Sequence, residues 1–200
     1  MNRLTERPWR VLHPLDAASL LAGIDVPWWI AGGWALEMCR GTVTRPHGDL
    51  DVGVLRRDIS TVLDRLSGWE MFEAKGGRLT RLAAGAPPRA DVHSLWGRPT
   101  ADDPWTIEVM LDESHGDMWV YRRDSRIRRS LATVIRHGQG GIGYLAPECQ
   151  LLYKSSAPRE RDDADFVQIL PFLSDDARLW LRNALELVTS GHHWIERLRD

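Results

Sequence analysis

Cysteine is scarce: the 200 residues include two, Cys39 and Cys149, far apart and neither in a Cys-x-x-Cys pair. This argues against a disulfide framework and a cysteine zinc site and fits a reducing cytoplasm. Histidine offers no substitute, because His192-His193 has no partners at zinc spacing. No run of about 18 apolar residues occurs, so no membrane span is expected. Met1 to Arg10 is polar and lacks the apolar core of a signal peptide. Positive charge is not in excess either. With 26 Lys and Arg against 28 Asp and Glu, the formal net charge is −2, and no global basic field calls for nucleic acid. What is present is a globular composition, 43% apolar and 27% charged, in a chain long enough to bury a core without staples. Tryptophan is abundant, at 10 residues. It is large, amphipathic and seldom fully buried, so part of this set is expected to line a groove.

Local patterning divides the chain. Asp16 caps a helix to about Ala22, ended by Gly23. Val26–Ala31 reads as a buried strand, after which Gly32 and Gly33 open a helix that runs to Arg40 and stops at Gly41. Asp58 caps a helix carrying Ile59, Val62, Leu63 and Leu66 at helical spacing. Strand-like runs follow at 70–74, 78–83, 89–95, 105–111 and 118–122, separated by Gly and Pro signals. From Pro147 onward only helices are expected, at 147–156, 162–170 and 174–188, with a last turn near Trp194. The result is an α+β catalytic half, residues 1–143, followed by a C-terminal helical segment, residues 144–200.

Two stretches that look functional are set aside. Gly138-Gln139-Gly140-Gly141-Ile142-Gly143 matches the dinucleotide-binding spacing but neither follows a clear strand nor opens a helix, so it reads as a flexible linker. Arg122, Arg123, Arg126, Arg128 and Arg129 have no interleaved aromatic platform and read as a solvated hairpin or edge strand.

The chemistry is concentrated in Arg45-Pro46-His47-Gly48-Asp49-Leu50-Asp51-Val52. On an extended strand residues i and i+2 share a face, about 7 Å apart. Asp49 and Asp51 therefore project together, while Leu50, Val52 and Val54 face a core. Paired hard oxygen ligands suit Mg²⁺, which completes its shell with water and substrate phosphates. A third carboxylate is expected nearby. Asp91, in Arg89-Ala90-Asp91-Val92-His93, fits if that run is a strand beside 49–54, and Glu108 is the alternative. Clustered carboxylates remain ionised only with a cation between them; otherwise they retain a proton.

The glycine turn Gly32-Gly33-Trp34, the run Arg45-x-His47-x-Asp49-x-Asp51 and the later Asp91-Val92-His93 together resemble nucleotidyltransferases of the DNA polymerase β superfamily. They are most like the small antibiotic-modifying group of aminoglycoside 2″-adenylyltransferases and lincosamide nucleotidyltransferases. The likeness is clear from about Trp28 to Leu95 and looser elsewhere. It implies a polymerase β-like mixed sheet with flanking helices. It also implies Mg²⁺, as two ions, and ATP or another nucleoside triphosphate as donor. Carried over by position, Asp49, Asp51 and Asp91 become metal ligands, with Asp91 the base toward the acceptor hydroxyl. Gly32 and Gly33 meet phosphate through backbone N–H groups at a helix N-terminus, and Arg45 and His47 touch phosphate or base. Lys154, followed by Arg161-Asp162-x-x-Asp165, resembles the tail pattern in which a lysine reaches the triphosphate. Many relatives have serine where this chain has Gly33.

The expected reaction moves a nucleoside monophosphate, AMP from ATP, to a hydroxyl of a small molecule and releases pyrophosphate. An antibiotic acceptor and a homodimer are implications of the resemblance alone. A cationic aminoglycoside would draw on Asp102, Asp103, Asp112, Glu113 and Asp117, and a neutral acceptor on Trp34, Trp96, Trp105 or Trp119. The rival readings are an antitoxin-like transferase that binds or AMPylates a protein and a nucleotide-binding pseudoenzyme.

Overall fold

A computed structural model describes residues 6–199. In chain order its elements are α1 (Pro14–Leu20), β1 (Trp28–Ile30), α2 (Gly32–Arg40), β2 (Asp51–Leu55), α3 (Ile59–Arg65), β3 (Glu70–Lys75), β4 (Arg78–Arg81), β5 (Ser94–Arg98), β6 (Ile107–His115), β7 (Met118–Val120), β8 (Arg128–Ser130), α4 (Leu131–Val134), β9 (Ile135–His137), β10 (Gly143–Leu145), α5 (Pro147–Ser155), α6 (Glu160–Ile169), α7 (Asp175–Val188) and α8 (Trp194–Arg197). The main sheet runs β4-β3-β5-β6-β2-β1-β10-β9, and β7 joins β6 to β8 at its side. Within it β2 pairs parallel to β6 and antiparallel to β1. No helix among the described residues is long and apolar enough to cross a membrane.

The mixed sheet with flanking helices agrees with the α+β expectation. Its period-2 pattern works as read: Leu50, Val52 and Val54 are fully buried and pack with Ala17 and Leu21 beside α1 and with Ile59 and Val62 of α3. The opposite face carries Trp29, Leu55 and Trp119 into a second core with Leu151, Leu152, Leu181 and Leu185 of α5 and α7. α5 and α7 start within one residue of where the sequence places them, and α6 starts at Glu160, two residues before the expected 162. α5 has Pro147 at its first turn, and Ser174 caps α7 by accepting from the Ala177 N–H, as helix entry favours.

Three expectations change. The run at 89–95 is a turn followed by β5 at Ser94–Arg98; Glu73 accepts from both the Arg89 backbone N–H and its guanidinium, at 2.7 and 2.6 Å, and folds the segment back. The glycine-rich 138–143 stretch is the bend between β9 and β10, strands of the main sheet, so it is no free linker, and the boundary at 143/144 falls inside β10. The tryptophans divide as expected: Trp34 and Trp69 line clefts, while Trp29, Trp105, Trp119 and Trp194 are essentially inaccessible. Finally, His13 caps α1, with Asp16 returning a bond to the His13 N–H at 2.7 Å.

Candidate active site

Register brings the acidic groups together. Asp51 opens β2 and stands directly opposite Glu108 on the parallel strand β6. Asp49, two residues earlier, is exposed at the mouth. Carboxylate oxygens of Asp49, Asp51 and Glu108 lie within 4.8 Å of one another. Ser94, at the start of β5, donates its hydroxyl to Glu108 at 2.6 Å.

The third carboxylate is therefore Glu108, and the structure does not bring Asp91 to the pair. Asp91 is exposed and ion-paired with Lys75, which holds its carboxyl below the usual range. His93 is bound to the Arg56 guanidinium at 2.9 Å. The turn at 89–92 removes the alternation on which Asp91 depended.

The floor is the N-terminus of α2. Gly32 adopts φ +63°, and a Cβ there would fall 1.8 Å from Asp51 Oδ2. Its N–H donates to Gln150 Oε1 of α5 at 2.8 Å, and the Ala31 N–H donates to the Asp51 carbonyl at 2.9 Å. A Cβ on Gly33 would lie 2.6 Å from both the Arg45 guanidinium and the His47 ring. These two side chains fill the space that a serine would take.

Arg45 donates to Asp165 at 3.4 Å and contacts His47 Nδ1 at 3.2 Å. The His47 ring is buried against Trp34, centroids 4.6 Å apart, with Nε2 at 3.3 Å from Glu37. Burial, then the Arg45 charge, lowers its pKa and favours neutral imidazole. Lys154 reaches Asp162 at 2.8 Å and Asp165 at 2.9 Å. Burial opposes ionisation of Asp162, but hydrogen bonds from Arg159 and Lys154 hold it below the ordinary carboxylate range. Gly32, Gly33, Arg45, His47, Asp49, Asp51 and Lys154 all line one cleft of about 430 Å³.

A family profile described as aminoglycoside-2''-adenylyltransferase matches residues 15–169. The chain belongs to that family. It is 36% identical over 69 residues to a protein named 2''-aminoglycoside nucleotidyltransferase from Escherichia coli, and equally to one from Klebsiella pneumoniae. Those matches cover 32% of this chain and 39% of each relative, so the chain spans well under half the length of the curated relatives it matches. Among solved structures, lincomycin-bound lincosamide antibiotic adenylyltransferase LnuA superposes with a TM-score of 0.52 at 15% identity, covering 80% of this chain and 93% of that one. The solution structure of antibiotic-resistance factor ANT(2'')-Ia gives 0.56 at 15% identity, covering 87% and 88%. At that identity the likeness establishes the fold alone, a polymerase β-like nucleotidyltransferase fold.

Within this adenylyltransferase-family site, the donor set fits a divalent cation. Burial, then Glu108 and Asp49, pushes the Asp51 pKa well up, and burial also raises that of Glu108. Two ionised carboxylates at about 5 Å would repel by roughly 3 kcal/mol at an effective dielectric near 20. A hard cation relieves the repulsion; without one, the pair retains a proton.

Sequence reasoning missed Gln150, Tyr153 and Ser94. Gln150, Tyr153 and Lys154 stand at i, i+3 and i+4 on α5, one helix face, and that spacing was the available signal. Tyr153 donates its hydroxyl to buried Asp112 at 2.5 Å. Burial pushes the Asp112 pKa from 3.8 to about 6, against hydrogen bonds from Tyr153 and Trp119. Since the folded value exceeds the unfolded one, Asp112 contributes stability that is full below pH 3.8 and lost as pH rises through about 6. Ionised, it costs up to about 3 kcal/mol. Asp112→Asn retains an oxygen for Tyr153 and removes the charge. It is expected to raise the melting temperature at about pH 7.5 by several degrees, with the gain fading toward about pH 4. Melting curves across that range check this, and an equal gain at both ends would contradict it.

Proposed function

We propose that the protein is a divalent-metal-dependent nucleotidyltransferase. It moves AMP from ATP, or the corresponding monophosphate from another nucleoside triphosphate, to a hydroxyl of a small antibiotic-type acceptor and releases pyrophosphate. The observation that supports this most is the Asp49–Asp51–Glu108 cluster at the N-terminus of α2. In the proposed reaction the acceptor oxygen bonds to the α-phosphorus and the bond from that phosphorus to the β-phosphate bridging oxygen breaks. Glu108 receives the hydroxyl proton. Asp49, Asp51 and Glu108 would hold the metal, Mg²⁺ as two ions in this reading, which would supply charge neutralisation at the phosphates.

Gly32 and Gly33 present the helix N-terminus to phosphate. Lys154 and Arg45, tied together through Asp165, add positive charge along the triphosphate. His47 holds Arg45 in place and, being stacked on Trp34, orients the wall rather than moving a proton. The cleft volume is in the range of small-ligand pockets, which favours a small acceptor over a protein surface. A cytoplasmic location and a homodimer belong to the same reading.

Melting curves with ATP, GTP, CTP and UTP, each with and without Mg²⁺, test it. A nucleotide at about 100 times its Kd adds about 2.7 kcal/mol, a shift of several degrees. A Mg²⁺-dependent rise with one nucleotide is expected, and Asp51→Asn is expected to lose it. Without nucleotide, Asp51→Asn melts at or above the wild type, because a buried charge has been removed. No response to any nucleotide would overturn the assignment.

A further inference from the structure

The first N–H of α2 is capped from outside the helix. Ala31, at the cap position, makes no side-chain hydrogen bond there, and Gly32 donates instead to Gln150 Oε1 of α5 at 2.8 Å. That bond settles the orientation of the amide. A backbone N–H requires an acceptor, so the oxygen is on Gly32 and the NH2 is turned away from it.

The NH2 has no partner in the protein. Among the described residues it makes no hydrogen bond. Gln150 is only 7% exposed, and an amide left unpaired so far from water is unfavourable. It is nonetheless not sealed in. Among the described residues, the unpartnered polar side-chain atoms that are cut off from the surface belong to tryptophans and arginines. Gln150 lines both the main cleft and a smaller recess of about 120 Å³ beside it, so its free NH2 opens into the site.

Capping accounts for the oxygen alone. A glutamate would cap a helix N-terminus as well or better, but it would bring negative charge to the place where phosphate arrives. An amide can accept from the helix and donate to an anion at the same time. Its surroundings also hold it ready: Cys149, Leu151 and Leu152 on the same helix are fully buried, which fixes the backbone of α5 before a ligand binds.

Position decides which phosphate it meets. Gly32 touches the acidic cluster, since a Cβ there would fall 1.8 Å from Asp51 Oδ2. The amide anchored on the Gly32 N–H is therefore next to the residue in contact with Asp51. Lys154, one turn further along α5, reaches Asp162 and Asp165 on α6 instead.

Resting on the transferase reading, we propose that Gln150 is a catalytic residue that touches the donor: its NH2 donates to a non-bridging oxygen of the α-phosphate while its oxygen stays on Gly32. Lys154 then serves the outer phosphates, and Gln150 holds the reacting phosphorus over the carboxylate cluster.

The test titrates the full chain, labelled with ¹⁵N-glutamine, with Mg²⁺ and α,β-methylene-ATP, an unreactive analogue that keeps both non-bridging α-oxygens. The Gln150 NH2 signals, identified by their loss in either variant below, are expected to move downfield with the analogue and to stay in place with Mg²⁺ and adenosine. Gln150→Met keeps the volume without a donor, and Gln150→Glu keeps the acceptor for Gly32 without a donor. Both are expected to raise the Kd of the analogue about ten-fold or more, the effect of a lost hydrogen bond to a charged group. A role in capping alone gives a different result, with Gln150→Glu binding as the wild type does. That result, or NH2 signals that stay in place while the analogue binds, overturns the proposal and leaves the transferase reading standing. No Mg²⁺-dependent melting response of the wild type to any nucleotide means that the transferase reading has failed, and the proposal with it.

Discussion

Glu108→Gln is expected to lower nucleotidyl transfer by about 10²–10⁴-fold, the range of a lost general base, while Asp91→Asn leaves it within about two-fold of wild type. The pair of variants decides between Asp91, the third carboxylate expected from the sequence, and Glu108, its alternative. Glu108 stands opposite Asp51 across the β2–β6 ladder, accepts from Ser94 and contributes an oxygen to the three-carboxylate cluster. Asp91 points to Lys75 in solvent, where an exposed pair contributes little. Glutamine preserves the volume and the Ser94 bond but cannot accept the hydroxyl proton. Relief of buried charge makes Glu108→Gln at least as stable as wild type, so a rate loss with an unchanged or raised melting temperature is the signature. Initial rates of pyrophosphate release at saturating Mg²⁺-ATP check both variants; a large loss in Asp91→Asn would return the third carboxylate to that position.

The difference between these two residues shows where local reasoning works. Gly32-Gly33, the helix after them and its stop at Gly41 are local events, set by backbone freedom and capping, and they fold as read. Leu50, Val52 and Val54 behave as the inward half of a strand because alternation is also local. Choosing the third carboxylate requires knowing that β6, and not the 89–95 run, lies beside β2. That depends on Glu73 capturing Arg89 from sixteen residues away and on a parallel register no short window contains. The strands β8, β9 and β10 have three residues each, too few to establish a period. Which tryptophans line a cleft, as Trp34 and Trp69 do, and which are core is not legible locally for a related reason. Trp105 is covered by Trp9, Phe72 and Trp96, with the Arg98 guanidinium 4.9 Å from its ring, a cluster assembled from four distant segments.

The second large effect is expected from the smallest change. Gly32→Ala should reduce transfer by about 10²-fold or more, since a shift near 1 Å at a reacting centre suffices for that. Two costs combine at this position. Alanine at φ +63° is strained by about 1–2 kcal/mol, and its Cβ would overlap Asp51 Oδ2 at 1.8 Å. The strain alone lowers the melting temperature by a few degrees. The overlap displaces the carboxylate that anchors the cluster and disturbs the Gly32 N–H bond to Gln150. Gly41→Ala separates the two. Gly41 ends the same helix at φ +80°, but a Cβ there meets nothing within 4 Å. Gly41→Ala should therefore lose only the stability that strain costs, no more than Gly32→Ala loses, while it retains transfer and the Mg²⁺-dependent nucleotide response. Parallel melting and rate measurements decide it. Equal losses of activity in both would mean that strain in α2, and not contact with Asp51, is what the glycine turn relieves. Loss in Gly32→Ala alone would make the close approach of helix and carboxylate the feature on which the metal cluster depends.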